Sequence, residues 1–81
     1  MRIVVECYGA SARWCGAENL SLDLPEQVTA KDALLHLAER FPEVGERLES
    51  LALALGDKIV PGTEILMEGD HLALIPPVSG G

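Results

Sequence analysis

Side-chain polarity alternates along two stretches near the start of the chain, and such alternation is the periodicity of β-strands. Residues 2–8 are apolar on one face and partly apolar on the other, which is typical of a central strand. Residues 19–24 place leucines on one face and polar side chains on the other, and Pro25 ends this second strand. Residues 9–18, between the two strands, predict a connection that holds a short helical turn.

A helix follows, because apolar residues beyond position 29 recur at helical rather than strand spacing. Thr29 is a good N-cap residue, and Asp32 lies in the first turn, where a helix favours negative charge. Pro42 marks the end of this helix, and residues 43–50 predict a further short turn. The apolar stripe of the helix comprises Ala33, Leu34, Leu37, Ala38 and Phe41.

The second half of the chain returns to strand patterns separated by turn residues. Residues 51–55 form a strand, Gly56-Asp57 is a two-residue hairpin signal, and residues 58–60 form the short return strand. Residues 71–75 form the last strand. The order β-β-α-β-β-β predicts an α+β fold: a mixed sheet of about five strands with one main helix packed on one face. If the first and last strands are parallel neighbours, this is the β-grasp, or ubiquitin-like, roll.

Composition restricts the classes of function. A chain of 81 residues predicts one domain, residues 1–75, followed by an extended C-terminal tail, residues 76–81. Six basic against thirteen acidic residues give a net charge of −7, which argues against binding to nucleic acid. The longest apolar run, residues 51–55, is too short to cross a bilayer, and no signal peptide is visible. We therefore expect no membrane association and a cytoplasmic location.

Few residues of the domain suggest chemistry of their own. We expect Cys7 to be buried on an apolar strand face, whereas Cys15 follows Trp14 in a connection and is expected to be partly exposed. The two cysteines and the two histidines, His36 and His71, lack the spacing of a zinc site, so we expect no metal. The sequence has no phosphate-binding P-loop, and we expect no bound cofactor.

The end of the chain carries the most specific signal. Pro76 and Pro77 cannot continue a sheet ladder and hold the chain extended, so the residues after Ile75 can reach roughly 20 Å from the domain. Gly80 and Gly81 let such a tail pass through a channel too narrow for a Cβ atom. The one reactive group at the tip is then the α-carboxylate of Gly81. This arrangement predicts a carrier whose cargo is attached to its own C-terminus.

The whole chain resembles the ubiquitin-like sulfur-carrier family that provides the small subunit of molybdopterin synthase. The resemblance rests on three segments: Tyr8-Gly9-Ala10-Ser11-Ala12-Arg13, the Glu68-Gly69-Asp70 turn, and the stretch from Leu72 to the Pro-Pro-Val-Ser-Gly-Gly ending. It implies that a ubiquitin-activating-like adenylyltransferase, which consumes ATP, adenylates Gly81, and that a sulfur donor then converts this residue to a thiocarboxylate. The large synthase subunit would use this sulfur to build the dithiolene of molybdopterin from cyclic pyranopterin monophosphate.

The resemblance also implies roles for individual residues and an assembly of two small and two large subunits. Gly81 would carry the sulfur, and the residues threaded into the large subunit would be Pro76, Pro77, Val78, Ser79 and Gly80. Docking requires an exposed apolar contact. If Leu72 and Leu74 face the core, Ile75 stays outside with Val78, and we expect Ile75, Leu66 and Tyr8 to contact the partner.

Three other functions remain open from the sequence. Carriers for thiamine synthesis, cysteine synthesis or transfer-RNA thiolation share the fold and the Gly-Gly ending. A ubiquitin-like protein modifier would use the same terminus to form isopeptide bonds with lysines. A β-grasp interaction module would need no terminal chemistry at all, and its activity would survive removal of the tail.

Overall fold

The computed structural model describes residues 1–77 of the chain. Its strands lie where side-chain polarity alternates, and its main helix lies where apolar residues recur at helical spacing. Two short segments beyond the predicted helix form one further helical turn each. The elements are β1 (Arg2–Cys7), α1 (Ala10–Cys15), β2 (Asn19–Asp23), α2 (Ala30–Arg40), α3 (Pro42–Gly45), a 3₁₀ turn (Leu48–Ser50), β3 (Ala52–Leu55), β4 (Lys58–Val60) and β5 (His71–Ile75).

The strands form one mixed sheet in the order β2-β1-β5-β3-β4. The first and last strands, β1 and β5, are parallel neighbours at its centre, with Cys7 opposite Leu74. The other three pairings are antiparallel. This is the β-grasp architecture that the element order predicts, and it places the end of β5 beside the end of β1. The tail therefore leaves from the middle of the sheet.

Helix α2 is the main helix, and its first turn is held by a capping box. The Asp32 N–H donates to Thr29 Oγ1 (3.1 Å), and the Thr29 N–H donates to Asp32 Oδ2 (3.0 Å). The hydrogen bond that the Asp32 carboxylate accepts from the Thr29 backbone N–H lowers the pKa of Asp32, and the Thr29 side chain adds to this shift. The next N–H groups, of Ala30 and Lys31, donate to carbonyl oxygens of the segment 62–64, so the start of the helix is satisfied by backbone as well as by side chains.

The core lies between α2 and one face of the sheet. Leu37 of α2 is 1% exposed, as is Leu72 of β5, and both pack in one apolar cluster with the centre of β1. Because Leu72 and Leu74 occupy this face, the intervening Ala73 points to the opposite, helix-free face. Both leucines thus join the core, which is the condition on which the expected outward position of Ile75 depends.

Two predictions about exposure are wrong. Cys15 is buried, because residues 10–15 form a regular helix whose last residue turns into the core rather than a loop that exposes it. Leu66 is also buried, with 2% exposure: it lies in an extended segment that alternates inward and outward, so its neighbours Ile65 and Met67 are the exposed ones. The native chain therefore cannot offer the side chain of Leu66 to a partner.

Candidate functional site: the root of the tail

The root of the tail, where the chain passes from Leu74 through Ile75 to Pro76, is fixed by hydrogen bonds to a single carbonyl group, that of Leu74. Leu74 is fully buried, and its carbonyl oxygen lies 3.1 Å from Ser11 Oγ and accepts from the Tyr8 N–H at 3.4 Å. Ser11 Oγ also lies 2.7 Å from the Tyr8 carbonyl oxygen. Since a hydroxyl has one proton, Ser11 donates to one of these carbonyls at a time. In either case it joins the end of β1 to the end of β5.

Ser11 is a functional candidate that sequence reasoning missed. Among residues 1–77 it is the one polar residue that is buried, with 0% exposure, and it lies in the first turn of α1. Its partners are 3 and 63 residues away in sequence. No local pattern indicates the longer contact, which arises only because β1 and β5 are neighbours.

Gly9 shapes the surface next to the tail. Its φ of 55° and ψ of −129° belong to a region that residues with a Cβ avoid. A Cβ placed there would stand 3.7 Å from Pro76 Cγ, an ordinary contact, so the backbone angles rather than lack of space require glycine. The backbone at Gly9 therefore lies directly against the first residue of the tail.

The predicted tail residues fall partly outside the described structure. Pro76 is half-buried and Pro77 is exposed, and neither belongs to a strand, as their missing N–H groups predict. Val78, Ser79, Gly80 and Gly81 lie outside the described residues, so the roles assigned to them stay predictions.

The face of the sheet opposite α2 carries apolar side chains near the tail. Ala54 and Ala73 face each other across β3 and β5, and Ile75 pairs with Ala52 in the next row. Ile75 is half-buried and Tyr8 is 53% exposed, so both side chains can be reached by a partner. Of the three residues predicted to contact a partner, the structure thus brings Ile75 and Tyr8 to one end of this face.

A polar cluster borders the same face. His71 Nδ1 lies 3.1 Å from Glu6 Oε2, and the Tyr8 hydroxyl donates to Glu6 Oε1 at 3.4 Å. His71 is exposed, so this cluster is open to solvent.

A groove of about 670 Å³ opens beside the root of the tail. Its walls come from the end of β1, from α1, from the turns after α3 and from the tail itself. Among its lining residues are Arg13, Trp14, Arg47, Ile75, Pro76 and Pro77. Trp14 and Arg47 are contributions that the sequence patterns did not indicate, because the two residues are 33 positions apart and no motif links them.

The two cysteines are neighbours in the hydrophobic core. Burial raises the pKa of the Cys7 thiol to about 12, and a hydrogen bond with the Cys15 thiol adds to the shift. Burial also raises the pKa of Cys15. Both thiols are free, and both are at most 5% exposed. Since the thiolate is the nucleophilic form, neither cysteine is suited to sulfur chemistry in the folded chain.

Within residues 1–77 no cluster of histidine, cysteine, aspartate or glutamate could hold a metal ion. Over the same residues, no helix is long and apolar enough to span a membrane.

Comparison with known proteins assigns the chain to a family. The profile of the ThiS family matches residues 8–81, which include the root of the tail and the Gly-Gly ending. The chain belongs to the ThiS family. The molybdopterin synthase sulfur carrier subunit of Arabidopsis thaliana is 31% identical to it over 81 residues, which cover 100% of this chain and 84% of the relative.

Solved structures of related proteins share the fold. SAMP1 from Haloferax volcanii superposes with a TM-score of 0.89 at 25% identity, with 100% of both chains covered. A chain in the complex of subunits 1 and 2 of the molybdopterin-converting factor from Helicobacter pylori superposes with a TM-score of 0.68 at 26% identity, again over 100% of both chains. The second of these structures is a protein–protein complex.

Proposed function

We propose that this ThiS-family chain is the sulfur carrier subunit of a molybdopterin synthase and that Gly81 carries the sulfur. The single observation on which the proposal rests is the position of β5. A central strand, buried from Leu72 to Leu74, continues through the half-buried Ile75 directly into Pro76 and Pro77, beside the exposed side chain of Tyr8. The likeness of the whole chain to the Arabidopsis thaliana subunit supports the choice of pathway.

The proposed chemistry begins with activation of the terminal carboxylate. A carboxylate is a poor electrophile, so its oxygen first attacks ATP on the adenylyltransferase, forming an acyl-adenylate and releasing pyrophosphate. A hydrosulfide equivalent from a sulfur donor then forms the new C–S bond as the C–O bond to AMP breaks. The product is a thiocarboxylate at Gly81. This chain supplies the acceptor carbon, and ATP is consumed by the partner.

In the second step the large subunit takes up the tail. The thiocarboxylate sulfur forms a C–S bond with the pterin precursor, cyclic pyranopterin monophosphate, as a carbon–oxygen bond of the precursor breaks and its oxygen leaves. Water then cleaves the acyl–sulfur bond. The sulfur stays on the pterin and the carboxylate of Gly81 is restored. Two such transfers form the dithiolene. A narrow tail suits this step because it carries the thiocarboxylate sulfur into the active site of the large subunit while the domain stays outside.

The domain supports the transfer by holding the root of the tail. Ser11 and the Tyr8 N–H bind the carbonyl of Leu74, so the direction in which the chain leaves the sheet is set before docking. Ile75 and Tyr8 supply exposed apolar contact next to that point. We assign Val78 to the same contact and Pro76 to Gly80 to the threaded segment. An assembly of two small and two large subunits and a cytoplasmic location belong to the same proposal.

The test is reconstitution with defined partners. The thiocarboxylated chain is mixed with a large synthase subunit and cyclic pyranopterin monophosphate, and dithiolene formation is followed by mass spectrometry of the pterin. Parallel reactions contain a thiazole synthase or a transfer-RNA thiolation enzyme instead. Sulfur transfer with the synthase subunit alone is the expected result. Transfer only in another reaction would assign the carrier to that pathway.

A second candidate is a protein modifier, because the fold is also that of SAMP1, whose name is small archaeal modifier protein 1. In that case the activated terminus would form isopeptide bonds with lysines of other proteins. Carrier-sized mass increments on cellular proteins, lost when Gly81 is deleted, would favour this candidate.

A further inference from the structure

The groove at the root of the tail differs in charge from the rest of the molecule. The chain as a whole has a net charge of −7. Arg13 and Arg47, two of the six basic residues, both line the groove. No aspartate or glutamate is among the described residues that form its walls. An otherwise acidic protein thus presents a small positive surface where the tail begins.

Arg47 is held in a defined position within the groove. Its guanidinium carbon lies 5.0 Å from the centroid of the Trp14 ring, within the range of a cation–π contact. Trp14 is half-buried and packs against the hydrophobic core, so the platform beneath the guanidinium is fixed by the fold. A guanidinium stacked in this way presents its N–H groups at its edge, and these groups match the two oxygens of a carboxylate. One of them, Arg47 Nη1, lies 3.5 Å from the exposed carboxylate of Glu46, a solvent-screened pair that a second carboxylate can join or replace.

The groove is continuous with the residues that any tail-binding protein has to approach. Ile75, Pro76 and Pro77 form part of its wall. A protein that draws the tail into its own active site brings its entrance against this wall and covers the two arginines. Covering two cations without an anionic partner would cost free energy, so the entrance is expected to carry acidic side chains.

We propose that this groove binds an acidic segment of the large synthase subunit, at the entrance through which the tail passes. The inference rests on the proposed function and adds how the carrier is oriented. The positive groove attracts an acidic entrance, whereas the acidic remainder of the domain repels it. A partner with an acidic entrance therefore binds in one orientation and is repelled in the others. The tail then starts directly at the opening that receives it.

The experiment measures the affinity of the full-length chain for the large subunit by titration calorimetry at low and high salt. The test variant is Arg13→Glu with Arg47→Glu. The matched control is Lys31→Glu with Arg40→Glu, which makes the same change in net charge on exposed positions of α2 that do not line the groove. We expect the groove variant to bind roughly 10- to 100-fold more weakly at low salt and the control to change affinity only about threefold.

Arg40 makes the control stricter, because its guanidinium also stacks on an aromatic ring, that of Phe41, at 5.2 Å. Loss of a cation–π contact is therefore common to both variants. Exchange of an acidic side chain at the entrance of the large subunit for arginine should restore binding of the groove variant.

Two results would overturn the proposal. If both variants lose affinity equally, only the net charge matters and the groove is not a specific site. If the groove variant binds as well as the wild-type chain or more tightly, the groove does not receive an acidic segment of the partner. Tighter binding would point instead to the chain's own terminal carboxylate as its occupant. Absence of binding by the wild-type chain would refute the proposed function itself, and this result is distinct from both.

Discussion

The two ends of the central strands differ in how their charged and polar groups are satisfied. At the end remote from the tail, Arg2 Nε donates to Asp23 Oδ1 at 2.9 Å, and the Arg2 N–H donates to Glu68 Oε1 at 3.0 Å. The ion pair with Arg2 also lowers the pKa of Asp23. At the tail end, no carboxylate of residues 1–77 forms a salt bridge with Arg13.

This difference indicates which polar groups serve the fold and which are available for binding. At the far end Arg2, Asp23 and Glu68 have partners within the chain, so their roles are complete in the folded domain. At the tail end, Arg47 has only its exposed neighbour Glu46 at 3.5 Å, and an exposed pair of this kind contributes little to stability. The cations of the groove are therefore available to another molecule, while the buried hydroxyl of Ser11 holds the backbone beneath them.

The largest effect is expected from an apolar contact at the tail end. Ile75→Asp should weaken binding to the large subunit roughly 10- to 100-fold, because it places a charge where an interface excludes water. The matched variant Met67→Asp changes a side chain that is 66% exposed at the opposite end of the domain, and its affinity should equal that of the wild-type chain. Calorimetric titration of both variants checks the prediction. Equal weakening by both would remove the distinction between the two ends.

A smaller effect is expected from the hydroxyl beneath the root of the tail. Ser11→Ala removes a buried hydrogen bond and should lower the free energy of unfolding by about 1 kcal/mol. Thr29→Ala removes the N-cap of α2, remote from the tail, at a similar cost of about 0.5–2 kcal/mol. In sulfur transfer, Ser11→Ala should reduce kcat about fivefold with unchanged KM, since the root is less well directed.

Comparison of the two variants isolates the positioning role of Ser11. Thr29→Ala should leave both kinetic constants unchanged, and Ser11→Thr, which keeps the hydroxyl, should recover the rate. A Ser11→Ala chain with reduced stability and a wild-type kcat would show that this hydroxyl serves the fold alone.

The smallest effect is expected for the thiols of Cys7 and Cys15, whose reactivity in the folded chain should be very low. Because burial raises the pKa of Cys7 to about 12, the thiol stays protonated in the folded chain well above neutral pH. Iodoacetamide at pH 8 should therefore alkylate neither cysteine in the native state and both after denaturation. The raised pKa also means that the unfolded chain loses this proton first, so stability should fall as pH rises from about 9 towards 12. Rapid labelling of the native chain would show that α1 opens readily.

The strand alternation and the single amphipathic helix predict the sheet and its main helix. The β-grasp topology and the outward position of Ile75 depend on two conditions that the structure meets: parallel pairing of β1 with β5, and inward-facing Leu72 and Leu74. Exposure was harder to predict where the backbone conformation was misjudged. Cys15 was expected in a loop and lies at the end of a helix, and Leu66 was expected at a surface although its extended segment turns it inward.

The residues of the site also divide into those that the sequence predicts and those that it does not. The residues of the tail were visible because their function depends on local chemistry: two prolines and two glycines in one short stretch. The groove was not visible, because Trp14 and Arg47 meet only after the turns beyond α3 pack near α1. The contact of Ser11 with Leu74 likewise depends on the pairing of the first and last strands.

The most direct test of the central claim is intact-protein mass spectrometry after incubation with ATP, an activating enzyme of the family and a sulfide source. The account predicts a mass gain that matches replacement of one oxygen by sulfur. This gain should disappear when Gly81 is deleted and persist in Met67→Asp. An unmodified chain in the presence of an activating enzyme that modifies its own carrier would contradict the claim that Gly81 carries sulfur.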